Sequence, residues 1–129
     1  MIKKAIILCG GTGSRMFPLT HSINKQLLPI YDKPMFYYPL SLMMLCGIKE
    51  YIFIINQGQE QNFRKALGNP DDLGIKVKFI IQKKPKGLPD AFLITKDLIK
   101  NQSIAMILGD NFFYGNMLSP LIKESFKKK

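Results

Sequence analysis

The chain begins with a short apolar run that leads straight into a glycine-rich turn. The run covers residues 5–9 and reads AIILC, a composition typical of a buried β-strand. The turn holds three glycines, a hydroxyl group and a cation: Gly10, Gly11, Gly13, Ser14 and Arg15. Because glycine has no Cβ, backbone N–H groups there can close around an anion, and Arg15 adds positive charge. The segment predicts a strand followed by a phosphate-binding loop suited to a nucleotide polyphosphate.

Two other phosphate-binding loops require residues that this turn lacks. A Walker loop ends in Gly-Lys-Ser/Thr, whereas a Ser-Arg pair follows Gly13 here. The dinucleotide-binding fingerprint requires a third glycine where this chain has Met16, and Asp32 lies before the second strand rather than at its end. A purely structural glycine turn is the remaining alternative. Three glycines followed by an arginine exceed what a turn requires, so the anion-binding interpretation is favoured.

Apolar runs of strand length recur along the 129 residues, with helical segments between them. Four strands are predicted, at about residues 4–8, 51–55, 77–82 and 104–108. Strands that alternate with helices are typical of an α/β fold. We expect one domain over residues 1–129, built on a Rossmann-like, doubly wound, mainly parallel sheet.

The first two predicted helices have readable ends. One contains Pro39 in its first turn, places Met43 and Met44 in the core, and ends before Gly47. The next runs from about residue 59 to 67 and ends before a glycine. Both lie between predicted strands, as an α/β fold requires.

The last two helices are predicted from proline positions. The third begins near Pro89 and is expected to turn four apolar side chains inward: Phe92, Leu93, Leu98 and Ile99. The fourth is expected to begin at Ser119 as N-cap, with Pro120 in the first turn.

Charge and composition limit the partners. The net charge is +10, from 19 Lys and Arg against 9 Asp and Glu, and such a field attracts polyanions such as nucleotides. The cations are scattered and lack the interleaved aromatics of a nucleic-acid module, so no specific nucleic-acid partner is expected. No apolar run is long enough to cross a bilayer, so we expect no membrane partner and a cytoplasmic location.

The cysteines and the histidine carry no metal-site pattern. Cys9 and Cys46 lack CxxC spacing and neighbouring histidines, so both are expected to be buried, reduced core residues. His21 stands alone in a predicted loop and is assigned no role.

Further motifs follow the glycine loop in a fixed order. They are KQLLPIYDKPM at 25–35, YYPLS at 37–41, Gln82 with Gly87-Leu88, Ala91-Phe92, LGDN at 108–111, and Tyr114-Gly115. Together with the loop they resemble the sugar-1-phosphate nucleotidyltransferases, and within that family the group that uses dTTP and glucose 1-phosphate. Several motifs in one order are more specific than a glycine loop alone.

The resemblance implies an enzyme that transfers a thymidylyl group from dTTP to glucose 1-phosphate, giving dTDP-glucose and pyrophosphate for activated-sugar synthesis. It implies Arg15 and Lys25 as catalytic cations and Mg²⁺ as cofactor. The implied nucleotide-binding residues are Gly10, Gly11, Gly13, Ser14, Arg15, Lys25, Gln26, Gln82 and Gly87. A homo-oligomer is expected of the full-length form. A transferase that uses UTP and a non-catalytic nucleotide-binding fragment remain alternatives.

Three of these residues also have ordinary structural interpretations. Asp110 follows the fourth predicted strand, where a carboxylate suits Mg²⁺, but turn or N-cap aspartates are common. Gln82 offers a donor and an acceptor to the imide edge of thymine or uracil, but it also fits a polar strand end. Gly87 permits a close backbone approach or simply a turn.

Some positions depart from the family pattern. Pro89-Asp90 replaces the common Ala-Gln beside the expected base pocket, which weakens the choice of thymine over uracil. The family's catalytic chain continues beyond residue 129 and usually completes the metal site with a later aspartate. The resemblance therefore predicts that residues 1–129 are the nucleotide-binding amino-terminal part, with the remainder of the domain absent.

Overall fold

The structure, a computed structural model, describes residues 2–84 and 86–128. Met1, Pro85 and Lys129 lie outside the described residues. Six strands follow one another along the chain: β1 (Lys4–Cys9), β2 (Pro29–Ile30), β3 (Lys33–Pro34), β4 (Glu50–Asn56), β5 (Lys76–Gln82) and β6 (Ile104–Leu108). Four helices accompany them: α1 (Tyr37–Leu45), α2 (Glu60–Leu67), α3 (Leu88–Ile99) and α4 (Leu118–Ser125). Short 3₁₀ turns lie at Ser14–Met16, Lys25–Leu27 and Pro70–Leu73.

The central sheet contains four strands in the order β5-β4-β1-β6, and every neighbouring pair is parallel. The predicted α/β class with a mainly parallel sheet is confirmed, and each predicted strand lies within one residue of its expected bounds. The two-residue strands β2 and β3 form a separate antiparallel ribbon that the sequence did not predict.

Helices cover both faces of the sheet, which explains why its strands are almost continuously apolar. On one face, Ile7 and Phe53 pack with Leu40 of α1 and Phe63 of α2. On the other face, Ile6 and Ile52 pack with Ala91 of α3. Because successive residues of β1 point to opposite faces, one short run supplies both cores.

The ends of α1 and α2 agree with prediction. Pro39 lies in the first turn of α1, Met43 is buried, and Gly47 follows the helix with a φ of 89°. Gly68 ends α2 in the same way, with a φ of 71°. Glycine adopts such positive φ angles without a Cβ penalty, so these residues stop the helices.

Two predictions about α3 and α4 are wrong. Phe92 and Leu93 are 43% and 70% exposed, because the buried stripe of α3 is set by Ala91 and Thr95, one helical turn apart. Leu98 and Ile99 do pack on the core, as predicted. Ser119 is not an N-cap: α4 begins one residue earlier, at Leu118.

Both cysteines are buried and free, as predicted. Burial raises the pKa of the Cys9 thiol well above its ordinary value, and the nearby charge of Asp110 raises it further. Cys9 is therefore a packing residue beneath the glycine loop rather than a nucleophile. None of the helices in the described ranges is both long enough and apolar enough to cross a membrane.

Candidate functional site

The carboxyl ends of all four sheet strands meet at one edge, because the strands are parallel. In register, Asn56 at the end of β4 lies opposite Gln82 at the end of β5, and Leu8 lies opposite Leu108. Strands β4 and β5 lie on one side of β1 in the sheet, and the later strand β6 lies on the other side of β1. The glycine loop and Asp110 therefore flank the point where the winding reverses, which is where open α/β sheets bind ligands.

The glycine loop is held open by two side chains from elsewhere in the fold. Gly11 N–H donates to Asn56 Oδ1 at 3.1 Å, and Asn56 Nδ2 donates to Gly11 O at 2.6 Å. Thr20 Oγ1 donates to Gly13 O at 2.6 Å. The loop is thereby fixed before any ligand binds, and its conformation depends on residues outside it.

Gly10 and Gly13 are required for different reasons. A Cβ on Gly10 would lie 2.9 Å from Gln82 Oε1 and 3.3 Å from Asn56 Oδ1, so a side chain there would push the Gln82 amide from its position beside the loop. Gly13 has a φ of 62°, in the left-handed region, and precedes the 3₁₀ turn that carries Ser14 and Arg15. The loop can therefore turn sharply while its backbone stays uncovered.

Lys25 and Asp110, both singled out in the sequence, meet at the base of the loop. Lys25 Nζ lies 2.7 Å from Asp110 Oδ2, and the two side chains are 31% and 28% exposed. Asn24 positions the turn that carries Lys25, since its Oδ1 accepts from Gln26 N–H at 2.9 Å and its Nδ2 donates to Cys9 O at 3.1 Å. The pair places one positive and one negative group beside the loop backbone.

A cavity of about 270 Å³ lies against this pair. Its lining comprises seven residues of the glycine loop and its turn, together with three others: residues 10–16, Lys25, Gln26 and Asp110. The guanidinium of Arg15 is exposed, and it forms no ion pair with the described residues. Most of the predicted phosphate-binding residues are thus brought to one cavity that carries two cations and one carboxylate.

Gln82 borders a second, larger cavity. This cavity has a volume of about 590 Å³, shares Gly11 with the first and reaches Asn56 and Gln82. Gln82 is 4% exposed, and its Nε2 donates to Asp90 Oδ2 at 2.7 Å. Gly87 precedes α3 with a φ of 80° and lines neither cavity, so the structure does not bring it to the other predicted residues.

Asp110 is the carboxylate that a cation at this site would use. The described residues contain no group of three or more His, Cys, Asp or Glu side chains that could hold a metal ion together. A single carboxylate nevertheless fits Mg²⁺, which is commonly held by one or two carboxylates plus the phosphates of a substrate. The donor set therefore fits as part of a site shared with a nucleotide.

Three residues that shape the site were missed in the sequence: Thr20, Asn24 and Asn56. Asp90 was noted there as a departure from the family pattern, but its contact with Gln82 was not predicted. Asn56 had a usable signal, because it ends an apolar strand in the same way as Gln82. Thr20 and Asn24 lie in loops, and their partners cannot be read from the local sequence.

A family model described as nucleotidyl transferase matches residues 4–129 of this chain. The chain belongs to the nucleotidyl transferase family. It is 43% identical over 122 residues to the glucose-1-phosphate thymidylyltransferase of Neisseria meningitidis serogroup A / serotype 4A, covering 95% of this chain and 42% of the relative. It is 46% identical over 112 residues to the enzyme of that name from Mycolicibacterium smegmatis, covering 87% of this chain and 39% of the relative. This nucleotidyl transferase chain thus spans less than half the length of these relatives.

Solved structures agree with this assignment. A structure from Bacillus anthracis, described as a glucose-1-phosphate thymidylyltransferase in complex with sucrose, superposes with a TM-score of 0.88 at 32% identity. The match covers 98% of this chain and 51% of that one. An apo UDP-glucose pyrophosphorylase superposes with a TM-score of 0.82 at 25% identity, covering 98% and 54% of the two chains. The resemblance to sugar-1-phosphate nucleotidyltransferases is confirmed over almost the whole chain.

Proposed function

We propose that this nucleotidyl transferase chain binds dTTP for transfer of its thymidylyl group to glucose 1-phosphate, giving dTDP-glucose and pyrophosphate. The observation that carries the proposal is the cavity at which the glycine loop, Arg15, Lys25 and Asp110 meet. Preorganised N–H donors and cations are what phosphoryl transfer requires, because its transition state concentrates charge on oxygen. The names of the relatives support thymidylyl transfer in particular.

The proposed reaction is an in-line displacement without a covalent enzyme intermediate. An oxygen of the sugar phosphate attacks the α-phosphorus of the nucleotide, and pyrophosphate leaves. The glycines at positions 10, 11 and 13 let the loop backbone approach the triphosphate, and the hydroxyl of Ser14 donates a hydrogen bond to it. Gly11 N–H stays on Asn56 Oδ1 and holds the loop in shape. Arg15 neutralises charge on the departing pyrophosphate. Each of these groups binds or orients, and none has to exchange a proton with the substrate.

Lys25 is the second cation of the proposed mechanism. Its ammonium group lies beside the loop, so it can bridge two anions that otherwise repel each other. Asp110 is proposed to hold Mg²⁺ together with the nucleotide phosphates. When bound, Mg²⁺ would neutralise phosphate charge at this site. To bridge the two anions, Lys25 would leave its ion pair with Asp110 and contact phosphate instead.

Base recognition is assigned to Gln82, with Gln26 and Gly87 as further candidates from the family pattern. Gln82 Oε1 can accept the imide N3–H of thymine or uracil. Gln26 lines the smaller cavity, on the side of Lys25 and Asp110. Gly87 lies before α3, so a contact between it and a base requires the nucleotide to extend toward that helix.

Uridylyl transfer is a second candidate. The likeness to UDP-glucose pyrophosphorylase favours it, and an imide edge is common to thymine and uracil. We propose small-molecule partners only, in a cytoplasmic protein without a specific nucleic-acid or membrane partner, whose full-length form assembles as a homo-oligomer.

Calorimetric titration with dTTP, UTP, ATP and GTP in the presence of Mg²⁺ tests the nucleotide site. We expect dTTP and UTP to bind more tightly than the purine nucleotides, and Gln82→Ala to flatten this preference while the triphosphate contacts remain. Equal affinity for ATP and dTTP in the unsubstituted chain would contradict the base assignment. Pyrophosphate release from glucose 1-phosphate with each nucleotide then separates thymidylyl from uridylyl transfer.

A further inference from the structure

Asp90, in the first turn of α3, holds the side chain of Gln82 at the edge of the larger cavity. Its Oδ2 accepts the hydrogen bond from Gln82 Nε2 at 2.7 Å. Gln82 is 4% exposed and Asp90 is half-buried, so the contact is largely shielded from water. Asp90 is also one of the positions where this chain departs from the pattern of the family that it resembles.

The chemistry of a carboxylate fixes which end of the Gln82 amide faces Asp90. The oxygen and nitrogen ends of an amide are similar in size, so shape alone does not choose between the two orientations. An ionised carboxylate accepts hydrogen bonds and donates none, so the NH₂ end must face Asp90. The Oε1 end then points away from α3, toward Gly10, where a Cβ would lie 2.9 Å from it.

We propose that Asp90 is a positioning residue for base selection, because it commits Gln82 to presenting its oxygen, an acceptor, beside the glycine loop. This inference rests on the proposed function. The occupant is a nucleotide whose base carries an N–H donor at its imide edge, as thymine and uracil do. Cytosine carries a lone pair at N3 instead, so Gln82 Oε1 would face a second acceptor and the two would repel each other. The second N–H of the Gln82 amide stays available for a carbonyl group of the base.

A neutral amide at position 90 no longer fixes the orientation of the Gln82 amide, but it keeps a side chain of similar size in place. Asp90→Asn offers both a donor and an acceptor, so Gln82 can turn over and present its NH₂ group to cytosine. Asp90→Glu keeps a group that only accepts and is the conservative rescue. Asp97→Asn, on the same helix and exposed, makes the same charge change away from Gln82 and is the matched control.

The test measures the dissociation constants of dTTP and dCTP with Mg²⁺ for these variants by calorimetry. We expect Asp90→Asn to lower the preference for dTTP over dCTP by about tenfold, which is the scale of one mismatched buried hydrogen bond. Asp90→Glu and Asp97→Asn should keep most of the preference. Asp90→Gln carries the same expectation as Asp90→Asn and replaces it if that variant does not fold.

The outcomes separate this inference from the proposed function. If the unsubstituted chain prefers dTTP and the preference survives in Asp90→Asn or Asp90→Gln, Asp90 is a structural residue and the inference is wrong. Loss of the preference in Asp97→Asn as well would assign the effect to charge, and loss of it in Asp90→Glu would assign the effect to side-chain size; either result would also overturn the inference. If the unsubstituted chain binds neither nucleotide, the nucleotide site itself is wrong.

Discussion

Lys25 Nζ lies 2.7 Å from Asp110 Oδ2, although 85 positions separate the two residues in the chain. The contact forms because Asn24 ties the turn that carries Lys25 to Cys9 at the end of β1, and β6, which Asp110 follows, pairs with β1 in parallel. Both side chains are about 30% exposed, so water screens the pair and its contribution to stability is small, about 1 kcal/mol or less. The importance of the pair lies in placing opposite charges where a magnesium nucleotide would bind.

Asp110→Asn should therefore raise the affinity for dTTP in the absence of metal and reduce the gain in affinity that Mg²⁺ provides. Without Mg²⁺, removing the carboxylate frees Lys25 and removes repulsion of the triphosphate, so affinity for dTTP should rise by about fivefold, equivalent to about 1 kcal/mol. Added Mg²⁺ should then strengthen binding less than in the unsubstituted chain. Asp97→Asn is the control, and titrations with Mg²⁺ or EDTA measure both effects. Weaker binding in EDTA would contradict this account of the pair.

Arg15→Ala should weaken triphosphate binding by about tenfold or more, because it removes an exposed cation from the lining of the cavity. In a complete enzyme we expect turnover to fall by about 10²-fold, the scale of losing one preorganised donor. Arg64→Ala is the matched control, since Arg64 is paired with Glu60 on α2 and lines neither cavity. Unchanged kinetics in Arg15→Ala would refute its catalytic assignment.

Asn56→Ala should loosen the glycine loop from a distance. It removes both hydrogen bonds between Asn56 and Gly11, so we expect a loss of about 1–2 kcal/mol in the free energy of unfolding. All triphosphates should lose affinity to the same degree, because the contacts proposed for the loop are to phosphate and not to the base. Urea denaturation and calorimetry measure the two effects, with the exposed Asn62→Ala as control. Selective loss of one nucleotide would show that Asn56 acts on the base instead.

Local sequence was enough to predict the four strands of the central sheet and the site residues that follow β1 and β6 or end β5. An apolar strand runs directly into Gly10 at the start of the chain, and another runs through Leu108 into Gly109 and Asp110, so each strand and the turn after it can be read from neighbouring residues. Parallel strands then bring Asp110 to the same edge as the loop. What local sequence could not provide was pairing across the fold, such as Asn56 with Gly11 or Gln82 with Asp90.

The errors on α3 have a related cause. Phe92 and Leu93 are large and apolar, but small Ala91 and Thr95 form the buried stripe on which the helix lies against the sheet. Which stripe of a helix is buried depends on the surface beneath it, and periodicity over one turn does not determine it. Apolar composition alone therefore placed Phe92 and Leu93 on the wrong side of the helix, although Leu98 and Ile99 do pack on the core.

Gly109→Ala should destabilise the fold, because a Cβ there would lie 2.5 Å from Cys9 Sγ and 3.1 Å from Leu8 O. We expect a loss of about 1–3 kcal/mol, typical of overpacking. Cys9→Ala in the same chain should recover part of this loss, since it removes the sulfur but leaves the backbone contact. Gly115→Ala, which meets nothing within 4 Å, is the control. Additive effects of the two substitutions in denaturant would contradict the proposed contact.

Tyr51→Phe should reduce the loss of stability at high pH. Tyr51 is buried and its hydroxyl donates to Ile48 O at 2.8 Å, and burial raises its pKa well above the ordinary value of about 10. Above pH 10 the unfolded chain releases this proton while the folded chain keeps it, so the stabilisation present at lower pH is progressively lost. Burial also raises the pKa of the Cys9 thiol, so Cys9 likewise lowers the free energy of unfolding as the pH rises from about 8.5.

Urea denaturation at a series of pH values measures the free energy of unfolding for each variant. Tyr51→Phe should cost about 1 kcal/mol at neutral pH through the lost hydrogen bond, yet fall less steeply above about pH 10. Cys9→Ala should flatten the profile from about pH 8.5 upward, because the thiol of the unfolded chain begins to titrate there while the buried thiol of the folded chain keeps its proton. Tyr114→Phe removes an exposed phenol and should reproduce the unsubstituted profile. An equally steep decline in Tyr51→Phe above pH 10 would show that other groups control alkaline unfolding.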